Sequence, residues 1–388
     1  MSIPKIGVIG GGQLARMMAP AAINLGIDLS ILCEGAEVSS SRAVANAPVG
    51  DYKDMDTVLA FARTVDVVTF DHEHVPQEIL TAMEAEGIAV HPGSSALRHA
   101  QDKLVMRAAV QRLGLPNPAW AEASCVEDVL AFGDATGWPV IAKTPRGGYD
   151  GKGVRVVGRD EAGTLGEWLA DSSILLEEKV DFSRELSVLV ARTPSGEMRA
   201  WPVAHTIQVD GVCDEVIAPA QDIDDAVLGA AAATATTLAE SLGVTGVLAV
   251  ELFEVPGRAP GFIINELAMR PHNTGHWTQD GAFTSQFEQH LRAVLDWPLG
   301  SAEPLSGPTV MRNYLGGANE ELHAAFPAAM AAEPEAKIHM YGKSVRPGRK
   351  IGHVNLVGAP GADVDQLRAR AGRVAATVRD GAVPVVGG

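Results

Sequence analysis

Cysteine is scarce in this sequence: three residues in 388, Cys33, Cys125 and Cys213, with no C-x-x-C among them. That excludes a disulfide framework and the usual thiolate zinc sites. It reads as free thiols in a reducing compartment, so a cytoplasmic location is expected. No apolar run reaches the length that a membrane span needs. The opening "MSIPKIGVIGGG" enters a strand too early to serve as a signal peptide. Positive charge is the other shortage: Lys and Arg number 31 against 48 Asp and Glu, a formal net charge of −17. Nucleic acid is thereby excluded as a bulk partner, and an anionic substrate needs a locally basic pocket. What is present is an ordinary globular composition, 46% hydrophobic and 20% charged. The chain is too long for one compact core, so two or three domains are expected.

The order of apolar segments divides the chain. "KIGVIGGGQLARMM" reads as strand, glycine turn and helix. "DLSILCE", "DVVTFDHEHV" and "GIAVHP" continue as strands, with helical "MDTVLAFARTV" and "QEILTAMEAEG" between them. Strands alternating with helices predict a parallel sheet covered on both faces. After the helical "DKLVMRAAVQRLG" the style changes. "WPVIAK", "VRVV", "SILLEEKV", "ELSVLVAR" and "MRAWPVAHTIQ" are strands separated by turns, which points to antiparallel sheet. An Ala/Thr-rich helix, "DAVLGAAAATATTLAESLG", precedes the strands "GVLAVELFEV" and "GFIINELAM". The last segment holds "TVMRNYLG", "HVNLVG" and the helical "VDQLRARAGRVAATVR". The predicted class is α/β followed by α+β, with domains at 1–97, 98–304 and 305–388, the middle one carrying a subdomain at about 115–180.

Two glycine turns carry candidate chemistry. Gly10, Gly12 and Ala15 spell G-x-G-x-x-A between strand and helix, and Glu34 ends the second strand where a ribose-binding acid would sit. Any tight strand-to-helix turn wants glycines, so this signal is weak; the turn can still offer amides to an anion. The second turn, "KTPRGGYDGKGVRVV", is no Walker A loop. The G-x-x-x-x-G-K spacing is absent, Gly153 follows Lys152 where Ser or Thr is needed, and a strand comes next. A flap between two strands fits instead, with Lys143 at a strand end as a point charge for a phosphate. A glycine hairpin with a solvated lysine is the plain alternative.

"GVLAVELFEV" and "GFIINELAM" are joined by the turn "PGRAPG". Folding there sets Glu251 opposite Glu266 or one residue away. Facing like charges destabilise a strand pair, and a divalent cation bound to phosphates removes the penalty. Asn265 is a candidate additional oxygen ligand. Two acids on a solvated sheet face are the alternative. "LLEEKVDFSRE" offers backbone groups to an adenine edge and, in Glu185, a carboxylate for ribose hydroxyls.

Taken in order, phosphate lysine, glycine flap, adenine segment, ribose acid and facing acids resemble the ATP-grasp superfamily. "GGGQLARMM", "TPRGGYDGKG", "NELAMRPHNTGHWTQDGAFTSQFEQHLRAV" and "KSVRPGRKIGHVN" are similar to the 5-(carboxyamino)imidazole ribonucleotide synthetase family, across essentially the whole chain. Met269 stands where the family has proline, Pro145 where it has Thr or a basic residue, and Val154 where it favours Gln.

The resemblance implies an ATP-grasp fold with a Rossmann-like N-terminal domain and a small C-terminal domain. It implies an ATP-dependent ligase of purine biosynthesis, a homodimer, that uses ATP, Mg²⁺ (or Mn²⁺ in its place), bicarbonate and aminoimidazole ribonucleotide. It places ATP at Arg98, Lys143, Gly148, Tyr149, Asp150, Gly151, Glu177, Glu178, Lys179, Val180, Glu185, Gln208, Asn265 and Glu266. It gives the metal to Glu251 and Glu266. Arg270, His272, Asn273, Lys343 and Asp150 are its catalytic residues. Gly12, Gln13, Leu14, Glu73, Tyr149, Asp150, Lys152, Lys343 and Arg349 would meet the ribonucleotide. The rivals are a formate-using glycinamide ribonucleotide transformylase, a nicotinamide-dependent oxidoreductase and a silent ATP-binding protein. The continuation "NTGHWTQ" favours the ligase over the transformylase.

Overall fold

The computed structural model describes residues 3–148 and 153–381. Its first sheet is parallel throughout, in the order Asp28–Leu32, Lys5–Ile9, Val67–Phe70 and Ala89–Val90. Apolar side chains go to both faces. Ile6, Val8 and Ile31 pack on the helix Gln13–Leu25. Ile9, Leu32 and Phe70 pack on the helices Met55–Ala62 and Gln77–Ala85. The first face is also covered by Phe287, Leu291 and Val294 of the helix Gln286–Val294, from far along the chain.

A small antiparallel sheet follows, ordered Trp120–Ala123, Ile174–Glu178, Val140–Lys143 and Val154–Val157. It has its own core of Val129, Val140, Ala142, Val157, Ile174 and Leu176. The largest sheet has nine strands. From one edge they run Phe262–Ala268, Gly246–Glu254, Arg184–Arg192, Ala204–Val209, Val212–Ala218, Thr309–Leu315, Lys350–Val357 and Lys337–Met340, with Met198–Ala200 paired to Arg184–Arg192. Val212–Ala218 pairs with Thr309–Leu315, so hydrogen bonds run unbroken across residue 304.

The strands and helices read from the sequence are present. "MRAWPVAHTIQ" is two strands rather than one. Pro202 cannot donate to a ladder, and Trp201 leaves the sheet to bury its ring and donate Nε1–H to the Thr284 carbonyl at 3.1 Å. The strand Val212–Ala218 was not legible. Its Glu215 is buried between Arg312 and Arg368.

Candidate active site

The strands Gly246–Glu254 and Phe262–Ala268 set Glu251 directly opposite Glu266. The register then slips: Leu252 pairs with Ile264, leaving Asn265 as an extra residue in a bulge. The Glu251 carboxyl is pushed up to about 8, first by burial and then by the negative charges of Glu266 and Glu185. Lys350 and Arg270 pull the other way. Glu266 is held by Lys103 Nζ at 2.8 Å. His272 Nε2 lies 3.7 Å from Glu251, and Nδ1 lies 2.9 Å from the Thr274 hydroxyl. Burial holds the imidazole well below its ordinary pKa, so His272 is neutral and the approach to Glu251 is no ion pair. Asn273 is buried in the short turn that follows.

Lys143 ends its strand as expected. Its Nζ sits 2.7 Å from Glu177 Oε2 and 3.4 Å from Asn265 Oδ1. Burial opposes ionisation of Glu177, but the charges of Arg107 and Lys143 outweigh it and hold the carboxyl low. The side chain of Glu177 thus serves the lysine and not a nucleotide directly. Glu178 turns outward to Arg258 at 2.7 Å and accepts the Ala119 N–H. The strand ends there, and Lys179 and Val180 lie beyond its last ladder pair. Glu185 shares a hydrogen bond with Gln208, and burial raises its carboxyl. Arg98 lines a separate pocket of about 250 Å³ with Gln77, Gln101, Asp102, Val105 and Arg146. Gly148 is described; Tyr149, Asp150, Gly151 and Lys152, expected on a flap, lie outside the described residues.

The first glycine turn differs. Its Gly11 N–H goes to Glu34 Oε2 at 2.9 Å, and the Ala15 N–H goes to Asp71 Oδ1 at 2.7 Å. Glu34 is partly desolvated, but the His72 imidazole and the Gly11 amide hold its carboxyl down at about 2. A dinucleotide pyrophosphate would meet two carboxylates here, which removes the oxidoreductase reading. Glu34 braces this turn; it is not placed as a ribose acid. The side chain of Leu14 is buried in the core, which leaves its backbone to face the turn.

Two expected residues on distant segments do meet in each of two places. Gln13 accepts from Lys343 Nζ at 2.7 Å. Glu73 takes Arg270 Nε at 2.7 Å and the Met269 N–H at 3.2 Å. Arg349, expected to reach the site, instead donates to the hydroxyl and carbonyl of Ser344 and braces its own loop. Lys350, beside it, is with Arg270 one of two cations that Glu251 and His272 feel. The sequence placed Lys350 only in a basic cluster with Lys343, Arg346 and Arg349, expected to attract the ribonucleotide's phosphate, and gave no site role to Lys103 or Arg107. A spacing of four on the helix Lys103–Arg112 was the available signal for the last two.

A lysine and facing acids at the junction of two antiparallel sheets define an ATP-grasp enzyme. The ATP-grasp domain family matches residues 108–287, the ribonucleotide synthetase preATP-grasp domain matches 3–101, and the phosphoribosylaminoimidazole carboxylase C-terminal domain matches 309–367. The chain belongs to the N5-carboxyaminoimidazole ribonucleotide synthase family, ATP-dependent ligases of purine biosynthesis, as its motifs led us to expect. It is 48% identical over 379 residues to the synthase of Mycobacterium bovis, covering 95% of this chain and 86% of that protein. The synthetase structure from Thermus thermophilus is similar at a TM-score of 0.86 and 34% identity, covering 98% and 99% of the two chains. The Aspergillus clavatus synthase, solved with ADP and 5-aminoimidazole ribonucleotide, has a TM-score of 0.86 at 30% identity, again covering 98% and 99%.

Proposed function

We infer that this chain carboxylates aminoimidazole ribonucleotide with ATP and bicarbonate, giving 5-(carboxyamino)imidazole ribonucleotide, ADP and phosphate. The observation that carries the reading is the convergence of three segments. Gln13, at the start of the helix Gln13–Leu25, meets Lys343, and Glu73, in the loop after the strand Val67–Phe70, meets Arg270, whose charge reaches Glu251 of the facing pair.

ATP lies between the two antiparallel sheets, its phosphates on Lys143 and Lys103. The facing carboxylates fit a hard divalent cation, because without one Glu251 is driven toward its protonated form. Mg²⁺, or Mn²⁺ in its place, would be held by Glu251 and Glu266 and would neutralise charge on the transferring phosphoryl group. Bicarbonate oxygen attacks the γ-phosphorus, ADP leaves, and carboxyphosphate forms. Arg270, fixed by Glu73, holds the carbonate-type anion, while neutral His272 adds no competing charge. The ribonucleotide amine then attacks the carboxyl carbon, or CO₂ released there; phosphate departs and the amine gives up a proton. Asp150, on the flap, is the proposed partner of that amine. Flap closure keeps carboxyphosphate from water. Lys343 and Gln13 bind the ribonucleotide. Among the described residues no helix is long and apolar enough to cross a membrane. A cytoplasmic homodimer is part of the same reading.

ADP release measured with ATP, Mg²⁺, bicarbonate and ribonucleotide, omitting each in turn, tests it. Full release should need all four. Release that depends on formate and not on bicarbonate would overturn the reading.

A further inference from the structure

Lys103 and Arg107 stand four residues apart on one helix, so both face the strand Phe262–Ala268. Lys103 reaches the carboxylate of Glu266. Arg107 passes behind it and is 1% exposed. A guanidinium buried that deeply needs acceptors for its N–H groups, and four contacts supply them. Nε donates to Glu177 Oε1 at 2.6 Å. Nη1 donates to Asn117 Oδ1 at 3.1 Å and to the Ile264 carbonyl at 2.7 Å. Nη2 donates to the Asn265 carbonyl at 2.8 Å.

Two of these acceptors are the backbone of the bulge that separates the Glu251–Glu266 pairing from the Leu252–Ile264 pairing. A third is the carboxylate whose other oxygen holds Lys143. One side chain therefore touches the supports of both the phosphate lysine and a metal acid, without touching either group itself.

Charge counting gives this arrangement a purpose. Glu177 carries one negative charge, and Arg107 and Lys143 carry one positive charge each, so the triad is net +1. Glu177 with Lys143 alone would be a neutral pair, with nothing left over for a phosphate. We propose that Arg107 is a positioning residue for phosphoryl transfer: it offsets Glu177 so that Lys143 presents a net positive charge, and it clamps the bulge that aims Glu266. The proposal rests on the reading of Lys143 as a phosphate ligand.

MgADP binding by calorimetry and steady-state kinetics, both on the full chain, test it. Arg107→Met should weaken MgADP about tenfold, as expected for a lost charge-assisted contact. Adding Glu177→Gln restores the net charge, so the double variant should bind within about threefold of wild type. Its kcat should stay about tenfold low, because the bulge carbonyls remain unclamped. Arg107→Met binding like wild type, or a double variant no better than the single, overturns the proposal. If Arg107→Met does not fold, Glu177→Gln alone decides. The charge count predicts MgADP affinity equal to or tighter than wild type, and a loss of about tenfold or more overturns it. Lys143→Met separates the two ideas. Normal MgADP binding by that variant overturns the phosphate reading and this proposal with it. Weak binding there, with normal Arg107→Met, overturns this proposal alone.

Discussion

Around Gly10–Gly12 the chain brings two carboxylates to the turn, Glu34 on the Gly11 amide and Asp71 on the Ala15 amide. Around Lys143 it brings two cations to one carboxylate, Glu177. Both turns are glycine-rich and both follow a strand. They differ in what has already been done with their polar groups. Amides spent on the protein's own acids offer nothing to a pyrophosphate, whereas a lysine in a triad of net charge +1 keeps positive charge that can attract one. A glycine motif therefore reports that the backbone turns tightly, and the charges packed against it report what can bind.

The largest expected effect is on the second region. Glu266→Gln should lower kcat by about a thousandfold, since metal and phosphate charge stabilisation is lost together, while thermal unfolding stays near wild type. Near-normal ADP release at ordinary Mg²⁺ would remove the acid pair from the chemistry and with it the contrast between the turns. Next comes the point where the first turn meets the C-terminal segment. Lys343→Ala removes the partner of Gln13 and should reduce kcat/KM for ribonucleotide by about one to two decades. Arg349→Ala, whose contacts are to Ser344, should change it by less than about threefold. Equal losses in the two variants would return Arg349 to the site.

Gly12→Ala sharpens the comparison differently. An added Cβ would lie 1.9 Å from the Asp71 carboxylate, which is fixed on the Ala15 amide. Overpacking of about 1–3 kcal/mol is expected, read as a fall in denaturant midpoint. The KM for ribonucleotide should rise and that for ATP should not. A rise for ATP instead would put the nucleotide at the first turn. The smallest effect is Glu34→Gln. The Glu34 carboxyl titrates at about 2 rather than at its ordinary 4.5, so its stabilisation is present above pH 4.5 and lost as pH falls through 2. Urea unfolding from pH 7 downward should show a shallower acid loss in the variant. Identical acid limbs would mean that this carboxylate does not brace the turn.

The facing acids were legible because alternation and one turn fix a hairpin register to within a residue. The place of Lys143 was legible because it closes a strand before a glycine-rich stretch. Lys103 and Arg107 were not. On a polar helix an Arg reads as solvated, and only the strand laid against that helix shows that Arg107 is inside. The Ser344 contact of Arg349 was not legible either: among Lys343, Arg346, Arg349 and Lys350, the sequence cannot say which side chain the loop holds on itself. The strand Val212–Ala218 was hidden because its acids are neutralised by arginines from Thr309–Leu315 and from the helix Val364–Asp380.

That strand's position has a bearing on how the molecule can be cut or recombined. Because Val212–Ala218 is stitched to Thr309–Leu315, a chain ended at residue 304 would not shed a self-contained module. It would expose a raw ladder edge along its middle, an invitation to self-association. Grafting the C-terminal segment from a relative to alter ribonucleotide recognition faces the same seam: the donor has to bring a strand that zips in register, or Lys343 will never arrive at Gln13.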